Sequence, residues 1–331
     1  MSTTLESYVE RFANTTIVVI GDLILDEYIT GRATRMSREA PVPVLELESK
    51  RYIAGGAANP AANIVSLGGR AKQVGMIGED RAGERLKQIL IDQGIDAEGL
   101  IQHKAHPTTV KTRILAQMGL RFPQQLTRID SLTREPIDPE TESLIVGFAR
   151  RVLDETDAVL LSHYDGGLLT SPLVARLRDL CAAGGKLLAA DAQGNFETFS
   201  GLDIIKCNAE DAGRYLNRGL VSDSDFSEAA LQLHEALGAV RATIITRGNQ
   251  GATLAAQDRV HHCPAPQVSD VFDTVGAGDT AIATLVLALV AGAAAKEAVT
   301  LANHASGIVV RHFGNYSPSP AELMRSLGGD L

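Results

Sequence analysis

A chain of 331 residues, 45% of them apolar, can bury a sizeable core. With 4% aromatics and no tryptophan, that core falls to Ala, Val, Leu and Ile, the filling of parallel sheets covered by helices. A net charge of −9 argues against a nucleic-acid binder, which would carry a basic stripe, while leaving room for an anionic small substrate held by a local basic cluster.

The first 16 residues have neither a basic start nor an apolar run, so no secretory signal is expected. "TIVVIGD" at 16–22 reads as a first buried strand. "AANPAANIVSLGG" at 57–69 has helical spacing of small residues and stops at glycine. "AKQVGMIGED" then returns as a strand and "AGERLKQILIDQG" as an amphipathic helix. Further strands are expected in "DAVLLSHYD", "GKLLAADAQG", "DIIKCN" and "ATIITRGNQG", with helices between most of them, and helices at 276–292, 295–311 and 320–326. This alternation predicts an α/β fold with a mostly parallel central sheet and helices on both faces. Residues 27–53 and 106–130 are richer in Thr, Val, Arg and Pro and read as extended strands. They predict a small β lid made by two insertions into one domain over 1–331. The longest uncharged stretch, 280–295, falls short of the ~20 residues of a membrane span. The cysteines Cys181, Cys207 and Cys263 are far apart and form no CxxC, so free thiols in a reducing cytoplasm are expected.

"DTVGAGDT" at 273–280 holds the strongest chemical signal. Gly276, Ala277, Gly278 and Asp279 place bare backbone N–H groups at the start of a helix, an anion site. Asp279 there suits a general base that takes a proton from a hydroxyl attacking a phosphoryl group, help worth roughly 10²–10⁴-fold. It equally fits a helix-start acid favoured by the dipole. "GAGDTA" with Glu297 also fits a dinucleotide fingerprint, but no strand follows to complete a βαβ unit.

Four other groups carry a chemical and a plainer reading. Gly55 and Gly56 in "AGGAANPAAN" let backbone approach a ligand or simply make a turn, and Asn59 and Asn63 share a helix face. Asp22 and Asp26 follow the first strand's carboxyl end, where open α/β sheets bind ligands, and suit sugar hydroxyls or a solvated loop. Asn208, Glu210 and Asp211 suit hydrated Mg²⁺ or a capped helix start. Lys111, Arg113 and Arg128 suit a substrate phosphate or a solvated lid surface. His163, His261, His262 and His304 have no metal spacing.

Taken together, "VVIGDLILDEY", "GGAANPAANIVSLGG" and "DTVGAGDT", in this order and spacing, resemble the ribokinase/PfkB family of sugar and nucleoside kinases over nearly the whole chain. The resemblance implies a Rossmann-like ribokinase fold and ATP-dependent phosphorylation without a Walker A loop. It makes Asp279 the base and Gly276, Ala277 and Gly278 the anion hole. Asp26, Gly55, Gly56 and Asn59 would touch the sugar. Asn208 would lie near Mg²⁺ and the phosphates, with Asp211 where the family usually has Glu. Thr246 and Gly248 would meet the nucleotide's phosphate side and Asn303 its adenine side. Asp273 and Val275 fall where members bind a monovalent cation such as K⁺ through backbone oxygens. The lid segments "RMSREAPVPVLEL" and "HPTTVKTRILAQMGLRFPQQLTRID" are similar to those of kinases that phosphorylate D-glycero-D-manno-heptose 7-phosphate at C1. The chain departs from that pattern at "DAQG" and "HYDGG", each losing a lysine, which keeps another PfkB sugar or nucleoside kinase, and a non-catalytic sensor, as alternatives. The partners implied are a sugar or sugar phosphate and a second copy meeting lid to lid.

Overall fold

The computed structural model describes residues 5–117, 123–257, 259–268 and 270–329. Helix α1 (Leu5–Arg11) leads into β1 (Thr16–Gly21). One residue later β2 (Leu23–Met36) departs, and β3 (Pro43–Gly56) brings the chain back. Then come α2 (Ala58–Ser66), β4 (Arg70–Gly78), α3 (Arg81–Asp92) and β5 (Asp96–His103), a second excursion through β6 (Thr109–Gln117) and β7 (Gln124–Ser131), and α4 (Pro139–Val152). Next are β8 (Ala158–Ser162), α5 (Ser171–Gly184), β9 (Leu187–Asp191), β10 (Ile204–Asn208), α6 (Ala209–Tyr215), α7 (Asp223–Leu237) and β11 (Ala242–Thr246). A pair of strands, β12 (Ala252–Ala256) and β13 (Arg259–Cys263), precedes α8 (Ala277–Val290), α9 (Ala295–Val309) and α10 (Pro320–Leu327).

The central sheet has nine strands in the order β13-β12-β11-β10-β9-β8-β1-β4-β5. It is parallel except at one end, where β12 and β13 are antiparallel. Helices cover both faces, as the alternation in the sequence predicts. β1 shows why both must be covered: Ile17 and Val19 enter one core, with α2, α8 and α9, while Val18 and Ile20 enter the other, with α4, α5 and α7. Successive side chains of a strand point to opposite faces, so a strand apolar throughout needs a layer on each side. Several helix starts are fixed by local chemistry. Asp80, Asp138 and Thr170 each accept a backbone N–H in the first turn of the helix that follows, worth ~1 kcal/mol apiece.

The two excursions pair into a four-stranded sheet, β3-β2-β6-β7. β2 and β6 run parallel, the flanking pairs antiparallel. Its register sets Asp26 opposite Lys111 and Lys111 opposite Asp130, and one step on Tyr28 opposite Arg113 and Arg113 opposite Arg128. Residues paired across strands share a face, so one face of the lid carries this whole polar set.

Candidate active site

Because β1, β8, β9, β10 and β11 are parallel, their carboxyl ends come out along one edge. That edge gathers Asp22 after β1, Tyr164 after β8, and Asp191, Asn208 and Thr246 at the ends of their strands. Helix α8 starts at the same edge. Gly276 opens it with φ +81° and no side chain caps it, so first-turn amides such as those of Gly278 and Asp279 have no acceptor within the helix. The positive φ favours glycine. A Cβ there would also meet Asn59 Nδ2 at 3.0 Å.

Asp279 lies in that first turn, 9% exposed. Asn59 donates to its Oδ2 at 2.7 Å and the Tyr164 hydroxyl to its Oδ1 at 2.5 Å. Burial first, and then the Asp191 carboxylate, push Asp279 up to about 6, opposed by those two donors and by Lys206. A carboxyl so placed is half ionised near the working range of a general base. Behind Asn59, Asn63 donates to the Asn59 carbonyl at 2.9 Å and accepts from Thr280 at 2.8 Å, which locks α2 to α8.

Beneath the helix start, the Lys206 ammonium is 2.7 Å from Asp191 and 3.2 Å from the Gly278 carbonyl oxygen. Both members of the pair are about 5% exposed. A Cβ on Gly278 would come within 3.2 Å of that ammonium. Lys206 thus sets a buried positive charge directly under the amide cradle. Tyr164, Asp191 and Lys206 were not among the residues expected at the site. The available signal was Lys206 itself, a lysine inside the apolar strand "IIKC".

From the lid, Asp26 pairs with Arg113 at 2.5 Å. Gly55 makes room for it, since a Cβ there would meet Asp26 Oδ2 at 2.3 Å. Gly56, with φ +58°, packs the same way on the Asp22 carbonyl. Lys111 holds its ammonium 5.8 Å from the Tyr164 ring centre. Burial holds Lys111 below the usual lysine range, with Asp26 opposing and Arg128 reinforcing. Arg128 itself grips Asp130 through two bonds of 2.8 and 2.9 Å.

Other expected residues are placed differently. Asp22 is a loop clamp and not a free grip for hydroxyls: its carboxylate accepts the N–H groups of Tyr164, Gly166 and Leu168 at 2.8, 3.1 and 3.2 Å. Asn59, expected on the sugar, presents its amide to Asp279. Asn303 spends its amide on the carbonyls of Cys263 and Pro264, holding the end of β13 beside a narrow cleft that Lys206, Thr246, Ala281 and Val299 also line. Thr246 donates to the Cys207 carbonyl at 3.3 Å, and Gly248 has φ +58° in open space.

Asn208 caps α6 and also donates to Asp211 at 2.7 Å, while Arg214 takes the other Asp211 oxygen at 2.8 Å. Glu210 is exposed and paired with Arg214. Among the described residues no three His, Cys, Asp or Glu side chains converge to hold a metal directly. A single buried acid with an adjacent amide still fits a Mg²⁺ that keeps most of its waters, so Asp211 and Asn208 suit that ion and Glu210 stands outside the set. Asp273 accepts N–H groups from Val275 and Gly314, which ties two loops together next to the carbonyls expected to face a monovalent cation.

A narrow cleft at the sheet edge, an uncapped helix start and a buried acid are the parts that phosphoryl transfer requires. A model of the pfkB family carbohydrate kinases matches residues 14–322, so the chain belongs to that family and is an ATP-dependent sugar kinase. Its relatives include the bifunctional protein HldE of Mesorhizobium japonicum, 35% identical over 96% of this chain and 63% of that protein. HldE of Hyphomonas neptunium is 37% identical over 99% and 66%. The chain therefore spans about two thirds of the length of these relatives. Among solved structures, ribokinase of Arabidopsis thaliana complexed with ribose and ATP superposes with a TM-score of 0.73 at 19% identity, covering 95% of this chain and 98% of that one. Phosphofructokinase-2 of Escherichia coli in complex with potassium gives 0.76 at 18% identity, with the same coverage. At such identities the likeness is one of fold.

Proposed function

We propose that the chain transfers the terminal phosphoryl group of ATP to the C1 hydroxyl of D-glycero-D-manno-heptose 7-phosphate. The observation that carries the reading is Asp279, held at about 6 at the mouth of an uncapped helix and faced by a basic lid. The acceptor hydroxyl gives its proton to Asp279 as its oxygen bonds to phosphorus and the bond to ADP breaks. The amides of 276–279 and the Lys206 charge take up the negative charge of the moving group, where one lost donor costs about 3–4 kcal/mol. Asp26 orients the sugar, and Lys111 and Arg113 draw its phosphate. Asn208 and Asp211 would hold a hydrated Mg²⁺, which would supply positive charge to the phosphates of ATP. Carbonyls of Asp273 and Val275 are the proposed K⁺ ligands.

Arg113 and Arg128 are committed to Asp26 and Asp130. This favours, as the second reading, a PfkB kinase for a neutral sugar or nucleoside. ADP release with heptose 7-phosphate, fructose 6-phosphate, ribose, fructose and adenosine separates the two: preference for a neutral acceptor removes the heptose assignment and leaves the kinase. The lid's exposed apolar residues, including Leu47 at 61% and Ile129 at 57%, support a dimer formed lid to lid. Three buried, unpaired cysteines support work in a reducing cytoplasm. No helix among the described residues is long and apolar enough to cross a membrane.

A further inference from the structure

We propose that Tyr164 is a positioning residue whose hydroxyl holds the acceptor alcohol's place on Asp279 until the sugar displaces it, screening the base from water in the meantime. The inference rests on Asp279 being the base.

The Tyr164 hydroxyl donates to Asp279 Oδ1 at 2.5 Å, the distance and donor type that an accepting sugar hydroxyl must present to a general base. The second carboxylate oxygen is held by Asn59, so the orientation of the base does not depend on Tyr164. Burial, and after it the Asp279 charge, push the phenol well above its ordinary range. Tyr164 therefore donates and keeps its proton. It cannot take one from the substrate.

One end of the residue is anchored and the other faces a lid residue proposed to meet substrate. Its backbone N–H is fixed to Asp22, which leaves the side chain as the movable part. The Lys111 ammonium approaches its ring from the lid, within the ~6 Å of a cation–π contact. An anionic sugar that draws Lys111 toward itself loosens the ring as it brings its own hydroxyl to the base. The charged and polar groups facing Asp279 are then Asp191 from β9, Lys206 from β10 and Asn59 from α2.

Tyr164→Phe keeps the ring and removes only the donor. Three changes are expected in assays with heptose 7-phosphate, or with the best acceptor of the panel. The acceptor KM falls several-fold, because a competitor is gone. ADP release from ATP alone rises several-fold relative to the parent. The acid limb of kcat/KM moves to higher pH, because a donor to the carboxylate is lost. A ring that merely packs would move none of these, and a variant matching the parent in all three overturns the proposal. Asp279→Asn run alongside separates the two failures. If it keeps full turnover, the reading of the base falls and this inference with it. If it loses turnover while Tyr164→Phe matches the parent, this inference alone falls.

Discussion

Replacing Asp279 by Asn separates what that carboxylate does for chemistry from what it does to the fold. In the folded chain it titrates at about 6 against an ordinary 3.8, burial being the main cause. An unfolded chain releases the same proton about two pH units earlier. Stability therefore falls as pH rises from ~4 to ~6, and above that the full cost, on the order of 3 kcal/mol, applies. Asn is the same size. Its carbonyl can accept from Asn59, and its amide can donate to the Tyr164 oxygen. The variant is expected to be about 1–3 kcal/mol more stable than the parent at pH 8 and equal to it near pH 4. Its Tm at pH 8 should rise by roughly 2–5 °C, while kcat falls roughly 10²–10⁴-fold. Circular dichroism during urea and thermal unfolding at both pH values, beside ADP release, reads all of this. Full turnover in the variant, or a stability difference independent of pH, would refute the reasoning.

Other perturbations address the parts that support the base. Gly55→Ala puts a Cβ 2.3 Å from Asp26 Oδ2 and must move that carboxylate off Arg113; the acceptor KM in initial-rate assays is expected to rise at least ~10-fold, about 1.4 kcal/mol, with the KM for ATP unchanged. Lys206→Met leaves Asp191 buried and unpaired and should cost ~3–5 kcal/mol in urea unfolding. Adding Asp191→Leu should return most of that stability and none of the turnover. Ile129→Glu places a charge on the lid's exposed apolar face, and light scattering should then report one 35.1 kDa chain in place of two.

How much of this could be read beforehand depends on how far apart in sequence the interacting residues lie. The strand at 16–21 announces itself by an unbroken apolar run ended by Gly-Asp, and α8 by glycine followed by small apolar residues, since in each case the signal sits within one element. The lid was legible because its two insertions interrupt the alternation. The pair β12 and β13 was less so: short strands rich in alanine and histidine carry little periodicity. The Tyr164–Asp279 contact spans 115 residues. Only the parallel order of β8, β9 and β10 brings Tyr164, Asp191 and Lys206 under α8. Asp22 misled for a related reason. A carboxylate after a strand is a good ligand until a loop 142 residues away supplies amides to fill it, and nothing local foretells that.

The lid's first strand leaves the central sheet after a single residue, Asp22, and its returning strand ends at Gly56, two residues before the helix that carries Asn59. Both roots of the cover are thereby joined to neighbours of Asp279, one through Asp22 to the loop bearing Tyr164 and the other through α2 to Asn59. Any displacement of the cover would therefore be felt first at Asn59 and at the Tyr164 loop, the two neighbours that donate to the Asp279 carboxyl.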